Sequence, residues 1–209
     1  MPSKAALRGL YLVTPDTPDT DYLLKQVAFA LGGRPAMLQY RSKQTDFALR
    51  RLQAEAVAKL CRQAGVPFVV NDSLELALMV EADGVHLGRD DGDPRAARAA
   101  LGRDGIVGVT CYNEWARAEA GIAAGVDYVA FGAIFASPTK PAAVHAPLDL
   151  FSRAKRELSV PIAAIGGITL ENAPQALNAG VDLLAVISDV FEAPDPGQRV
   201  RAYQSLFAD

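Results

Sequence analysis

The sequence predicts a single (β/α)8 barrel over residues 1–209, the TIM-barrel architecture, and three observations carry that expectation. Short apolar or β-branched runs alternate with longer amphipathic segments along the whole chain. The alternation recurs about every 25 residues, which is the rhythm of successive βα units. Eight such runs occur, and eight strands with eight helices in 209 residues describe a barrel at the compact end of its size range. Half of the side chains are apolar, enough for one large core, and no stretch has the composition of a linker between two. A doubly wound open sheet is the architectural alternative.

In chain order, Gly9–Val13 is expected as the first strand, followed by a helical pattern over Tyr22–Leu31. Ala36–Gln39 is the second strand, and the amphipathic stretch Phe47–Ala64 after it ends at Gly65, a residue suited to a left-handed helix cap. Pro67 introduces the strand Phe68–Val70, and Leu74–Val80 reads as its helix. The fourth strand is Gly84–Leu87. Asp93-Pro94 then supplies an N-cap and a first-turn proline for the helix Pro94–Leu101. Ile106–Val109 and Glu114–Ala124 form the fifth unit, closed by Gly125. Tyr128–Phe131 has the length and apolarity of a buried parallel strand, Gly132 lets the backbone turn as it leaves the sheet, and Leu148–Glu157 is the next helix. Pro161 precedes the strand Ile162–Ile165, with a helix over Leu170–Asn178 and Gly180 just past its end. Leu183–Ile187 and Gly197–Phe207 complete the series.

A net charge of −3 argues against a general nucleic-acid or anionic-membrane surface, so any anion binding must be local. Two cysteines occur, Cys61 in a helical pattern and Cys111 after a strand. Their spacing suggests neither a disulfide framework nor a zinc knuckle, and they fit a reducing cytosol. The N-terminus lacks a basic-then-apolar signal pattern, and no apolar run approaches the roughly 20 residues of a membrane span. A soluble, cytoplasmic protein is expected, with room for a homo-oligomer.

In a barrel of this kind the active site is built from the loops after the strands' C-terminal ends, and there this sequence keeps its polar residues. Strand six runs into a loop carrying Ser137, Thr139 and Lys140, two hydroxyls and a cation at the rim where a phosphorylated ligand can be held. Strand two runs into Gln39-Tyr40-Arg41-Ser42-Lys43. If the strand persists, Gln39, Arg41 and Lys43 share one face, and Met37 continues that face inward. An arginine and a lysine converging there can neutralise a diphosphate, with Arg41 able to contact two oxygens at once. Asn71-Asp72 follows strand three and Asp90-Asp91 follows strand four. Two carboxylates on neighbouring loops suit magnesium, which takes its other ligands from water and substrate phosphate. Asp72 could instead cap the third helix, with Glu75 three residues on, and Asp90 could exchange roles with Asp91. His86 reads as a packed or supporting histidine and His145 as a solvent-exposed one. Gly166-Gly167 after strand seven and Ile187-Ser188 after strand eight sit where this fold commonly cradles phosphate.

With these positions in view, the whole chain resembles the thiamine-phosphate synthase family. The resemblance is carried by Gly9-Leu-Tyr-Leu-Val-Thr14, Gln39-x-Arg41-x-Lys43, Asn71-Asp72, Ala82-Asp-Gly-Val-His-Leu-Gly88 with Asp91, Ser137-x-Thr139-Lys140, Ile165-Gly-Gly-Ile168 and Ile187-Ser188, in the family's order across all eight units. It implies that 4-amino-2-methyl-5-hydroxymethylpyrimidine diphosphate is bound by Gln39, Tyr40, Arg41, Ser42, Lys43, Asn71, Thr110 and Lys140, with Mg²⁺ on Asp72 and Asp91. It implies further that 4-methyl-5-(2-hydroxyethyl)thiazole phosphate is held by Ser137, Pro138, Thr139, Gly167, Ile187 and Ser188. Arg41, Lys43 and Lys140 would stabilise the departing diphosphate, which explains the absence of an evident catalytic triad. Thr110 stands where the family usually has serine and Ser137 where it often has threonine, and both keep the hydroxyl. The rival readings are a thiazole tautomerase on the same barrel and a non-catalytic phosphate-binding regulator. The first could lose the paired aspartates and would need a proton-transferring histidine. The second would not need two separate anion sites.

Overall fold

The structure is a computed structural model that describes residues 7–136 and 144–208. Eight parallel strands close on themselves in sequence order. They are β1 (Gly9–Val13), β2 (Met37–Tyr40), β3 (Phe68–Asn71), β4 (Gly84–Leu87), β5 (Ile106–Tyr112), β6 (Tyr128–Gly132), β7 (Ile162–Ile165) and β8 (Leu183–Val186). The outer ring is α1 (Thr20–Leu31), α2 (Phe47–Ala64), α3 (Leu74–Met79), α4 (Pro94–Leu101), α5 (Trp115–Ala123), α6 (Leu148–Glu157) and α7 (Ala173–Asn178), followed by the short α8 (Ser188–Phe191) and by α9 (Pro196–Ser205). The fold is therefore the expected (β/α)8 barrel. No helix among the described residues is long and apolar enough to cross a membrane.

Differences from expectation are local and have identifiable causes. β5 continues to Tyr112 because Thr110 and Tyr112 pair with Ala130 and Phe131 across a bulge, so Cys111 lies inside the strand rather than after it. α7 starts at Ala173 rather than Leu170, because the Thr169 N–H donates to Asn172 Oδ1 at 2.8 Å and holds a turn there. α1 starts earlier, where Asp19 accepts from the Tyr22 N–H. α8 is an extra turn that hydrophobic periodicity did not announce.

Alternation along each strand sorts the apolar residues into two cores. One lies between strands and helices and includes Leu10, Leu12, Leu38, Tyr40, Val70, Val85, Leu87, Val129 and Phe131. The other fills the barrel interior with Tyr11, Val13, Met37, Val69, Ile106, Tyr128, Ala163 and Leu183. Glycine makes the interior possible: a Cβ on Gly108 would lie 2.1 Å from Tyr128 Cζ, so this position must be bare for the tyrosine ring to fit.

At the N-terminal rim, a repeated device fixes the strand starts. Asp83, Asp127 and Asp182, each immediately before an even-numbered strand, accept from an N–H in the first two residues of the preceding strand, at Phe68 (2.8 Å), Val107 (2.7 Å) and Ile162 (3.0 Å). Lys155 steadies Asp182 at 2.6 Å. At β1 the aspartate is replaced by Gln204 of α9, whose Oε1 accepts from the Leu10 N–H at 3.0 Å while its Nε2 donates to the Arg34 carbonyl at 2.7 Å. Asp182→Ala strands the Ile162 N–H and should lower unfolding stability by about 1–3 kcal/mol. Thermal unfolding would register this as a fall in Tm.

Candidate active site

The C-terminal mouth of the barrel collects the polar residues, and its floor is a chain of buried hydrogen bonds. Gln39 Nε2 donates to Tyr11 Oη at 2.5 Å, Tyr11 Oη meets Tyr128 Oη at 2.7 Å, and Tyr128 Oη meets His86 Nδ1 at 2.8 Å. His86 Nε2 then meets Thr110 Oγ1 at 2.7 Å. Tyr11 and Tyr128 cross edge to face, and the His86 ring stacks on Tyr128. Burial pushes both tyrosine hydroxyls well above the usual phenol range. It also pulls His86 down to about 4, with the charge of Asp91 opposing, so the ring is neutral at physiological pH. His86 is thus the packed, supporting histidine expected, while His145 is exposed.

Above this floor lie two carboxylates. Asp72 does not cap α3; Ser73 does, its side chain accepting from the Leu76 N–H at 3.1 Å. Asp72 is instead held in a left-handed conformation (φ 65°), its N–H donating to the His86 carbonyl at 2.8 Å. Burial and then the hydrogen bond and charge of Asp91 push the Asp72 carboxyl up to about 6, with Arg41 pulling the other way. Asp91 is half-buried and its Oδ2 accepts from the Gly88 N–H at 2.8 Å, whereas Asp90 is exposed. Of the two sequence alternatives, Asp91 is the one that faces Asp72. Two carboxylates that repel one another beside a single arginine are a donor set suited to a hard divalent cation.

β2 stops at Tyr40, so the expected alternation does not run on to Lys43. Gln39 points inward as predicted. Tyr40 points the other way, into the strand–helix layer, where its hydroxyl donates to Gln53 Oε1 at 2.9 Å. Arg41 leaves the strand clamped by buried Thr14, whose Oγ1 accepts from the Arg41 N–H at 2.9 Å and donates to its carbonyl at 3.2 Å. Asp16 Oδ1 accepts from the Lys43 N–H at 3.0 Å and from the Gln44 amide at 3.3 Å, which shapes the loop carrying Ser42 and exposed Lys43. Asn71 ends β3 in register with His86.

On the opposite side of the mouth, Gly166 and Gly167 both have positive φ. A Cβ on Gly167 would sit 2.4 Å from the Ala136 carbonyl oxygen, so the close approach of the two loops depends on glycine. The N–H groups of Ile134 and Phe135 donate to the Ile165 and Gly166 carbonyls, carrying the chain after β6 across the end of β7. Ile187 and Ser188 open α8, whose first N–H groups lack intrahelical acceptors. Asp189 organises this corner, accepting from Tyr203 Oη at 2.7 Å, Leu170 N–H at 3.3 Å and Arg199 at 3.2 Å. Ser137, Pro138, Thr139 and Lys140 lie outside the described residues.

Residues missed in the sequence reading are Tyr11, Tyr128, Thr14, Asp16 and Asp189. Inward parity of the two tyrosines was the available signal, since a hydroxyl placed inside a barrel needs a partner. Thr14 and Asp16 had no signal beyond a turn-forming Thr-Pro-Asp.

Asp72→Asn isolates the carboxylate repulsion, because asparagine tolerates the left-handed backbone. A folded-state pKa of about 6 lies above the unfolded value, so the folded chain binds the extra proton between about pH 4 and 6 and loses stability as pH rises through that window. The variant should therefore be more stable than the parent above pH 6 in metal-free buffer. After allowance for solvent screening the gain is about 1 kcal/mol, or roughly 2–4 °C in Tm, and it should vanish near pH 4. Parallel melts at several pH values check it.

Comparison with known proteins follows the same lines. A family model described as thiamine monophosphate synthase matches residues 10–190. A thiamine-phosphate synthase of Aromatoleum aromaticum is 70% identical over 201 residues, covering 96% of this chain and 97% of the relative. Another, from an Azoarcus species, is 61% identical over 203 residues, covering 97% and 98%. Among solved structures, a thiamine phosphate pyrophosphorylase from Pyrococcus furiosus superposes with a TM-score of 0.83 at 28% identity, covering 96% of this chain and 95% of that one.

Proposed function

The chain belongs to the thiamine monophosphate synthase family, and from that premise we propose that it is a thiamine-phosphate synthase, joining the pyrimidine diphosphate to the thiazole phosphate. The products are thiamine phosphate and diphosphate. The observation that carries the reading is the pair Asp72 and Asp91 set against each other beside Arg41, at the mouth above Thr110 and His86. A binding module for one phosphate has no use for opposed carboxylates. A tautomerase could do without the paired aspartates that this chain keeps, and both nitrogens of His86 are engaged inside the barrel.

The reaction breaks the bond between the pyrimidine methylene carbon and the diphosphate oxygen, and the electron pair leaves with the diphosphate. The thiazole nitrogen's lone pair then forms the new C–N bond. That nitrogen needs no general base, so the protein's task is to stabilise departing charge and to orient two substrates. Arg41, Lys43 and Lys140 supply cations for the diphosphate, with Gln39, Asn71 and Thr110 as hydrogen-bonding partners of the pyrimidine half. Ser137, Thr139, Gly167, Ile187 and Ser188 are assigned to the thiazole phosphate. Asp72 and Asp91 would hold magnesium, which when bound supplies positive charge against the diphosphate oxygens. The two buried free cysteines accord with a reducing cytoplasmic setting.

Purified protein given both substrates and Mg²⁺ should form thiamine phosphate; no product would sink the assignment. Asp91→Asn should raise the Mg²⁺ concentration needed for half-maximal rate, and an unchanged metal dependence would remove Asp91 from the site. Lys140→Met, measured at saturating thiazole phosphate, should lower kcat on the order of 10²-fold with a smaller effect on KM, as expected for loss of a donor that acts on charge growing toward the transition state. A rise in KM with kcat intact would make this lysine a ground-state anchor instead.

A further inference from the structure

The floor of the mouth is a single hydrogen-bonded file of five side chains, Gln39, Tyr11, Tyr128, His86 and Thr110, drawn from five different strands. Gln39, Tyr11, Tyr128 and His86 are buried, and Thr110 is the half-buried end that borders the mouth. Each hydroxyl in such a file has one hydrogen to give, so a direction chosen at one end is imposed on every member.

The Gln39 amide gives an N–H to Tyr11 Oη. If Tyr128 also donated to Tyr11, the Tyr11 hydrogen would be left without an acceptor in a dry interior, so Tyr11 donates to Tyr128. Tyr128 then has its own hydrogen for His86 Nδ1. A neutral imidazole whose Nδ1 accepts carries its hydrogen on Nε2, and that hydrogen goes to Thr110 Oγ1. Thr110 is the last member, and its hydroxyl hydrogen is taken by none of the others. With the opposite direction, Thr110 would spend that hydrogen on His86 and offer the mouth lone pairs alone.

We propose that His86 is a positioning residue, held by Tyr128 as its Nε2–H tautomer, and that this file turns the Thr110 hydroxyl into a fixed donor toward an anionic oxygen of the departing diphosphate. The proposal depends on the synthase reading for the identity of that anion. Its structural part, the tautomer and the direction of the file, stands apart from turnover. Gln39 thereby acts at a distance: its amide orientation decides whether the far end of the file donates or accepts.

Nitrogen NMR of the full chain carrying ¹⁵N-histidine tests the direction, with His145→Gln assigning the remaining signal to His86. Spectra recorded without ligand and with inorganic diphosphate and Mg²⁺ should show a protonated Nε2 and a bare Nδ1. A bare Nε2 with a protonated Nδ1 overturns the proposal. In steady-state assays Thr110→Val should lower kcat on the order of 10²-fold, and Tyr128→Phe, which touches neither proposed substrate phosphate, by about tenfold with the KM for thiazole phosphate unchanged. Because Tyr128 acts only through Thr110, adding Tyr128→Phe to Thr110→Val should cost nothing more. His86→Gln, which can still present an amide donor to Thr110, should retain more kcat than His86→Leu. Tyr11→Phe breaks the file one step further away and serves if Tyr128→Phe does not fold. Independent, multiplying losses for Tyr128→Phe and Thr110→Val would overturn the relay and leave the tyrosine a packing residue. A wild-type chain that makes no thiamine phosphate yet shows the Nε2–H tautomer would sink the synthase reading and not the direction of the file.

Discussion

Five polar side chains share four hydrogen bonds across an interior otherwise filled by Val13, Met37, Val69, Ile106, Ala163 and Leu183, and each bond leaves its neighbour no alternative partner. A buried donor or acceptor without a partner costs about 1–3 kcal/mol, so the file is favourable only when complete. Completeness in turn demands that the strands meet in one register. Tyr11 and Gln39 lie on adjacent strands, while Tyr128 and His86 reach across from β6 and β4. Gly108, bare beneath the Tyr128 ring, completes the arrangement. The file thus specifies the interior of the barrel in a way that apolar side chains, which tolerate repacking, would not.

Above the floor the molecule is less comfortable. Asp72 sits in a conformation few residues other than glycine adopt, next to a second carboxylate, with Arg41 as partial compensation. Stability is sacrificed at this rim and recovered at the other, where Asp83, Asp127 and Asp182 meet strand N–H groups and two of them are steadied by Lys155 and Arg98. The division matches the general behaviour of the fold, in which one end of the barrel carries function and the other holds it together.

Much of this was legible in the sequence, because parallel strands buried on both faces are continuous apolar runs and their helices are punctuated by glycine, proline and aspartate. β1, β4 and β7 and the helices α2, α4 and α6 fall where those signals put them. The paired aspartates were also legible, as carboxylates on successive loops. What could not be read was anything that depends on where a strand stops: Arg41 and Lys43 looked like neighbours of Gln39 on one face until β2 ended at Tyr40. The hydrogen-bonded file was hidden for a related reason. Its members are separated by up to 117 residues, and only closure of the barrel makes them adjacent. The rim aspartates did leave a trace, in the recurrence of Gly-Val-Asp before β6 and β8, which periodicity alone does not weigh.

The exception at that rim sets an order of events during synthesis. β3, β5 and β7 receive their aspartate acceptors from within the next βα unit, so each can be fixed soon after it leaves the ribosome. β1 has no such local partner. The first strand made has its Leu10 N–H matched by Gln204, 194 residues later, and the same glutamine ties down Arg34 at the approach to β2. A nascent chain must therefore carry an open seam, with the edge of β1 bare, for nearly the whole of its elongation, and that edge is the place where a chaperone or a neighbouring nascent chain would find it.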